Sequence, residues 1–145
     1  MIASIEQASP ESLAETARWR YEPPYDFYDG GSEPVLNPER HFNAYDETGE
    51  LVGFYYFDHR AELLEYGLGL RPDLTGKRLG LEFFRAGLEF GRERFRPERI
   101  VLAVAAFNER AIKVYERAGF VATGRHMRSF ERFGDVEFID MEERC

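Results

Sequence analysis

The chain has one cysteine among its 145 residues, Cys145. A single thiol supports neither a disulfide framework nor a cysteine zinc site within one chain. There is no apolar run of about 18 or more residues, so no helical membrane span is expected. Met1-Ile2-Ala3-Ser4-Ile5-Glu6 carries no basic stretch ahead of an apolar one, so no signal peptide is expected. Together these absences set a cytoplasmic location as the expectation. Positive charge is also scarce: 19 Lys and Arg against 27 Asp and Glu leave a net charge of -8. So acidic a chain is poorly suited to a polyphosphate backbone, and no nucleic-acid partner is expected. The same charge suits a cationic acceptor such as an amine. It equally suits a surface kept acidic for solubility. No repeat, low-complexity tract or linker interrupts the chain, and the length is near the modal domain size. A single domain over residues 1–145 is therefore expected.

Two nucleotide fingerprints are missing as well: the Gly-Lys-Ser/Thr that ends a P-loop, and G-x-G-x-x-G. What is present lies between Leu68 and Phe120. A strand ends in Leu68-Gly69-Leu70 and runs into Arg71-Pro72-Asp73-Leu74-Thr75-Gly76-Lys77-Arg78-Leu79-Gly80. A helix follows. A strand-to-helix turn of this kind leaves backbone N–H groups without partners, and these, with the positive end of the helix dipole, suit an anionic phosphate. Gly76 and Gly80 permit a sharp turn, and Lys77 and Arg78 add positive charge. Taken alone, the stretch also reads as an ordinary loop.

In the helix, Leu79, Leu81, Phe83, Phe84, Ala86, Leu88 and Phe90 share one arc, with charged residues opposite. Gly87 and Gly91 fall in the middle of the apolar arc, where each costs about 1 kcal/mol against Ala. Close packing on a sheet would compensate. Next, Arg99-Ile100-Val101-Leu102-Ala103-Val104-Ala105 reads as a strand covered on both faces. Asn108 opens a second helix from Glu109 to Ala118, which Gly119 ends. Asn108 and Tyr115 lie within about 20° of one another around the axis, with Ala111 on the same stripe. Each residue has a structural alternative, Asn108 as an N-cap and Tyr115 as a core aromatic.

The turn, the N-x-x-A-x-x-x-Y spacing from Asn108 to Tyr115 and the following Gly119-Phe120 together resemble the acetyl-coenzyme A binding core of the GCN5-related N-acetyltransferase (GNAT) family. The family's turn is Q/R-x-x-G-x-G/A. Thr75 replaces the Gln or Arg, and Arg78 replaces the first motif glycine. The resemblance implies an α+β fold, a three-layer α/β/α arrangement around a mixed, mostly antiparallel sheet of six to seven strands. It implies acetyl-CoA as cosubstrate, bound by Leu68, Gly69, Leu70, Thr75, Gly76, Lys77, Arg78, Leu79, Gly80, Asn108, Ala111 and Tyr115, with no metal. In the family the Asn contacts the pantetheine arm or its loop, and the Tyr hydroxyl sits beside the sulfur.

The remaining elements read in order. Met1 to Glu6 is a short edge strand. Ser9-Pro10-Glu11 starts a helix. Glu39 to Tyr45 and Leu51 to Phe57 form a hairpin around Asp46–Glu50, Leu63 to Leu70 is a strand, and Val121 to Glu142 is a final hairpin. Trp19 to Gly30 holds five aromatics and three acids around two prolines and forms no regular element. The resemblance places it on the acceptor side. Tyr25, Phe27 and Tyr28 there, with Glu65, are the expected substrate contacts. The alternative is a loop pinned by its aromatics.

Acetyl transfer from a thioester to an amine needs a neutral amine, a donor for the oxyanion and a proton for the thiolate. The resemblance suggests a backbone N–H near Leu68–Leu70 for the oxyanion and Tyr115 for the proton. Glu65 is the candidate base, directly or through water; Glu22, Tyr28, His59 and His126 are others. Three readings stand: an N-acetyltransferase acting on a small-molecule or peptide amine as a monomer or homodimer, a non-catalytic acyl-CoA binding module, or an unrelated nucleotide-phosphate binder.

Overall fold

The structure, a computed structural model, describes residues 2–29 and 37–145. Its strands are β1 (Ser4–Gln7), β2 (His41–Tyr45), β3 (Leu51–Arg60), β4 (Leu63–Leu70), β5 (Arg99–Ala105), β6 (Val121–Phe130) and β7 (Gly134–Arg144). Its helices are α1 (Pro10–Ala17), α2 (Gly80–Phe95) and α3 (Glu109–Arg117), with short 3-10 turns at Tyr25–Tyr28, Pro38–Arg40 and Pro72–Leu74. The strands form one sheet in the order β1-β2-β3-β4-β5-β7-β6. Only β4 and β5 run parallel. The sheet is thus mixed and mostly antiparallel, and the fold is α+β as expected. Met1 and Gly30, which the expected first strand and acceptor-side segment include, lie outside the described residues.

Period-2 alternation divides the sheet between two layers of helix. On one face Tyr55, Phe57, Leu64 and Tyr66 pack beneath α2, against Phe83, Phe84 and Leu88. The phenols of Tyr55 and Tyr66 donate to the carbonyls of Phe83 (2.6 Å) and Phe84 (2.9 Å). Such close approach depends on Gly87. A Cβ there would lie 2.1 Å from the Tyr66 hydroxyl and 2.4 Å from the Tyr55 ring. At Gly91 a Cβ would meet Phe57 at 2.9 Å. The helix propensity lost at both positions is returned as packing against the sheet.

On the opposite face α1 opens with Ser9 as N-cap in a reciprocal capping box with Ser12. Ser12 Oγ then donates to buried Asn43 Oδ1 at 2.6 Å, tying α1 to β2. Trp19 packs against Phe54 on the same face. No helix among the described residues is long and apolar enough to cross a membrane.

One interruption of this sheet positions the site. β4 pairs with β5 only from Leu63 to Glu65, opposite Arg99 to Val101. Beyond that rung β4 still pairs with β3 through Leu70, and β5 with β7 through Ala105, but not with each other. The sheet opens there into a V with Glu65 at its vertex. β4 keeps a continuous register through Gly67 and Gly69, so the glycines introduce no bulge.

Candidate active site

The β4 wall of the V offers main-chain groups. Arg71 N–H donates to Val52 O at 2.9 Å, which fixes the alternation of the β3–β4 ladder. Odd residues of β4 bond to β3, so the N–H and C=O groups of Leu68 and Leu70 point into the gap. The Leu70 carbonyl already accepts from the Tyr21 hydroxyl at 2.8 Å. The Leu68 N–H is left facing the opening.

β4 then leads into the turn. Thr75 directs both its N–H (3.3 Å) and its hydroxyl (2.7 Å) to Pro72 O, which closes the 3-10 turn and leaves its polar groups engaged. Gly76 has φ +73 and Arg78 has φ +63. Arg78 therefore adopts the left-handed conformation at the position where the expected motif places glycine. That conformation costs an L-residue about 1–2 kcal/mol. Leu79 is the N-cap of α2 and supplies no side-chain cap. The N–H groups of Gly76 and of Arg78 through Leu81 make no hydrogen bond to any described residue. Five donors at a helix start, beside the exposed Lys77 and Arg78, form a cradle for an anion.

α3 completes the cleft. Asn108 Oδ1 accepts from Ala111 N–H at 3.1 Å, so Asn108 is the N-cap. Its Nδ2 donates to the Tyr28 hydroxyl at 3.1 Å, a link across 80 residues. Ala111 packs against the core at the foot of this stripe. Tyr115 is half-buried, its ring 4.5 Å from that of Phe84. Its hydroxyl makes no hydrogen bond to any described residue, whereas those of Tyr21, Tyr55 and Tyr66 donate to main-chain carbonyls. Burial, and then the proximity of Tyr28, hold the Tyr115 phenol above its usual range. The Tyr28 phenol is also raised by burial, which outweighs the opposing hydrogen bonds from Asn108 and the Ala105 backbone.

Glu65 stands at the vertex on the face away from α2, its Oε2 2.7 Å from Arg60 Nη2. Of the other candidate bases, Tyr28 is joined to the α3 wall through Asn108. His59 packs on Phe95, on the α2 face. His126 is on β6, with Nδ1 3.1 Å from Asp140 Oδ2 and Nε2 accepting from Arg128 Nε at 2.8 Å. Glu22 is exposed. In the segment expected on the acceptor side, Phe27 is edge-packed among Phe107, Phe130 and Phe133 and also meets Phe138. Asp26 pairs with Arg132 at 3.1 Å. Tyr25 lies under the Arg110 guanidinium, 4.4 Å from its carbon to the ring centroid.

Two residues at the cleft escaped the sequence reading. Tyr21 reaches the β4 edge through a contact across 49 residues, which no local pattern records. Arg110 had a detectable signal. Arg110 and Val114 are four apart on α3, and they face Gly76 and Gly80, also four apart, at 3.4 and 3.5 Å from the Cβ positions. Among the described residues no group of His, Cys, Asp or Glu could hold a metal ion.

A model of the Acetyltransferase (GNAT) family matches residues 3–120. A mycothiol acetyltransferase of Streptomyces coelicolor is 40% identical over 99 residues, 66% of this chain and 31% of that protein. One of Propionibacterium freudenreichii is 43% identical over 82 residues, 53% of this chain and 26% of that protein. The chain thus spans about a quarter to a third of the length of the curated relatives it matches. Among solved structures, a chimera of spermidine N-acetyltransferase SpeG from Vibrio cholerae with hSSAT superposes with a TM-score of 0.74 at 21% identity, covering 97% of this chain and 94% of that one. A GNAT-family acetyltransferase of Bacillus anthracis gives 0.74 at 14%, covering 97% and 93%. At these identities the two likenesses concern the fold.

Proposed function

The chain belongs to the GNAT acetyltransferase family, and on that premise we propose that it moves an acetyl group from acetyl-CoA to a primary amine by direct transfer in a ternary complex. The observation that carries the reading is the continuity of the opened β4 edge with the donor cradle after it. The pyrophosphate takes the N–H groups of Gly76 and Arg78–Leu81, with Lys77 and Arg78 alongside. The pantetheine arm enters between β4 and β5, beside Leu68–Leu70 and past Asn108 and Ala111, and its sulfur reaches Tyr115.

The amine nitrogen attacks the thioester carbonyl, and the developing oxyanion accepts from the Leu68 N–H. The C–S bond then breaks, the thiolate takes the Tyr115 proton, and the ammonium proton leaves. Two energies frame these steps. An alkylammonium titrates near 10.4, so neutralising it at pH 7 costs about 4.6 kcal/mol unless the site helps. We assign that proton to Glu65 at the vertex, directly or through water; Arg60 pairs with its carboxylate at 2.7 Å. A thiol titrates near 8.5 and a phenol near 10, and the Tyr115 phenol is raised further. Full transfer to a free thiolate is therefore uphill. The proton moves as the C–S bond breaks, and water restores it to Tyr115 afterwards.

Tyr25 and Tyr28 contribute the acceptor wall, and Phe27 fixes the segment that carries them. The relatives' names point to spermidine and to mycothiol-related amines as first acceptors to try, with amino acids and peptide N-termini after them. Acetyl-CoA is incubated with this panel, and release of the CoA thiol is followed together with the mass gain of one acetyl group. An acetylated amine supports the reading. Coenzyme binding without turnover on any acceptor favours a non-catalytic binding module, and absence of coenzyme binding removes both.

A further inference from the structure

Arg110 takes no part in the chemistry above, yet it joins the two halves of the cleft. Its guanidinium carbon lies 4.4 Å over the Tyr25 ring. Its Nη1 comes within 3.4 Å of the Cβ position at Gly76, the first open donor of the phosphate cradle. Arg110 is exposed. A guanidinium beside a cradle of N–H donors suits an anion.

We propose that Arg110 is a coenzyme-set latch, a positioning residue that grips the pyrophosphate with its N–H edge and the acceptor-side segment with its face. The proposal rests on the coenzyme site described above. A guanidinium is planar, so it stacks on an aromatic ring and donates in its own plane at the same time. The two contacts therefore do not compete. Tyr25 opens the 3-10 turn that carries Tyr28 to Asn108 and Phe27 to its aromatic nest. At its other end the segment is closed by Tyr21 N–H on Asp29 Oδ1, 2.7 Å. Without coenzyme, the Arg110 side chain is restrained on one face only. With a pyrophosphate on its edge the guanidinium is fixed in position and orientation, and Tyr25 with it. Coenzyme occupancy then orders the wall that receives the amine, and coenzyme binding strengthens acceptor binding. By linkage the acceptor strengthens coenzyme binding equally.

Calorimetric titration of coenzyme A and of S-acetylpantetheine, which lacks the pyrophosphate, is compared in wild type, Arg110→Ala and Arg110→Lys. Arg110→Ala is expected to weaken coenzyme A about tenfold and to leave the pantetheine fragment unchanged. Arg110→Lys recovers part of that loss. Amide hydrogen exchange of residues 21–29 reports the latch: coenzyme A slows it in wild type, and at saturating coenzyme it does not in Arg110→Ala. In Tyr25→Leu the protection is lost and, by linkage, coenzyme affinity falls by no more than it does in Arg110→Ala. Thermal melts verify that each variant is folded. Wild-type coenzyme affinity in Arg110→Ala, or full protection of 21–29 in that variant at saturation, overturns the latch while leaving the acetyltransferase reading intact. A wild-type protein that binds no coenzyme A overturns both.

Discussion

Along the turn from Gly76 to Leu81 the open polar groups are main-chain N–H donors, whereas from Tyr21 to Asp29 the segment carries phenols, a benzyl ring and carboxylates. The first wall is set by local backbone geometry: a φ of +73 at Gly76, a φ of +63 at Arg78 and an uncapped helix start. The second is set by partners far off in the chain, Leu70 for Tyr21, Asn108 for Tyr28 and Arg132 for Asp26. A main-chain cradle serves any ligand with the right phosphate, because side chains around it can vary without moving its donors. A side-chain wall can change its partner with a single substitution. Under the proposed function, the coenzyme side is thus built for constancy and the acceptor side for choice.

The largest expected effect lies where the two walls meet. Tyr115→Phe removes the hydroxyl and keeps the ring on Phe84, so coenzyme affinity should stay nearly constant while kcat falls by about 10²–10⁴-fold. Steady-state kinetics paired with direct titration of acetyl-CoA separates this from a hydroxyl that only binds. In that case the Kd would rise by the equivalent of about 0.5–1.5 kcal/mol with kcat little changed.

Gly76→Pro acts on the main-chain wall alone. It removes one donor and fixes φ near -65°, against the observed +73. Coenzyme affinity should fall at least about tenfold, or ~1.4 kcal/mol, by calorimetry on a folded variant. Unchanged affinity would move the pyrophosphate elsewhere.

Alkali tests the buried phenols that the walls share with the core they rest on. Tyr21, Tyr55 and Tyr66 are all raised above the usual phenol range, chiefly by burial. Below pH 10 both folded and unfolded chains keep these protons, so nothing is lost. Above pH 10 the unfolded chain ionises them and the folded chain does not, so stability should drop by up to about 1.4 kcal/mol per phenol per pH unit. A loss of stability above pH 10 that is no steeper in wild type than in a Tyr55→Phe/Tyr66→Phe variant would contradict this burial.

Asn108→Ala should cost about 1 kcal/mol of stability through the lost cap and also loosen Tyr28. Asn108→Ser keeps a cap but does not reach Tyr28. Full rescue of coenzyme KM by Ser would reduce Asn108 to its cap. The smallest effect is at Arg78. Arg78→Gly relieves a left-handed side chain and should raise stability by up to about 1 kcal/mol in a denaturant melt, while the lost charge slightly weakens coenzyme binding.

The same contrast explains what could be read from the amino acids alone. Both strands of the V were legible to the residue, Leu63–Leu70 and Arg99–Ala105, because alternation or continuous apolarity is bounded there by turn residues. Gly87 and Gly91 marked the close contact of α2. β3 runs on to Arg60, beyond its apolar part at Phe57, because pairing with β4 carries Asp58, His59 and Arg60 along. β2 starts at His41 rather than Glu39 because Pro38 first opens a 3-10 turn. Around the site, the turn and the Asn108–Tyr115 stripe are local patterns and were visible. The reach of Tyr21, the aromatic nest of Phe27 and the position of Arg110 over Tyr25 are long-range packing, which residue spacing within a segment does not encode.

The central claim is that main-chain donors after β4 hold the coenzyme. It is tested most directly by following the backbone amide resonances of a ¹⁵N-labelled protein during titration with acetyl-CoA. The account predicts that Gly76, Arg78, Leu79, Gly80 and Leu81 shift and become protected from exchange together with Leu68, at the affinity measured by calorimetry. Saturable binding of acetyl-CoA that leaves those six amides unmoved would contradict it.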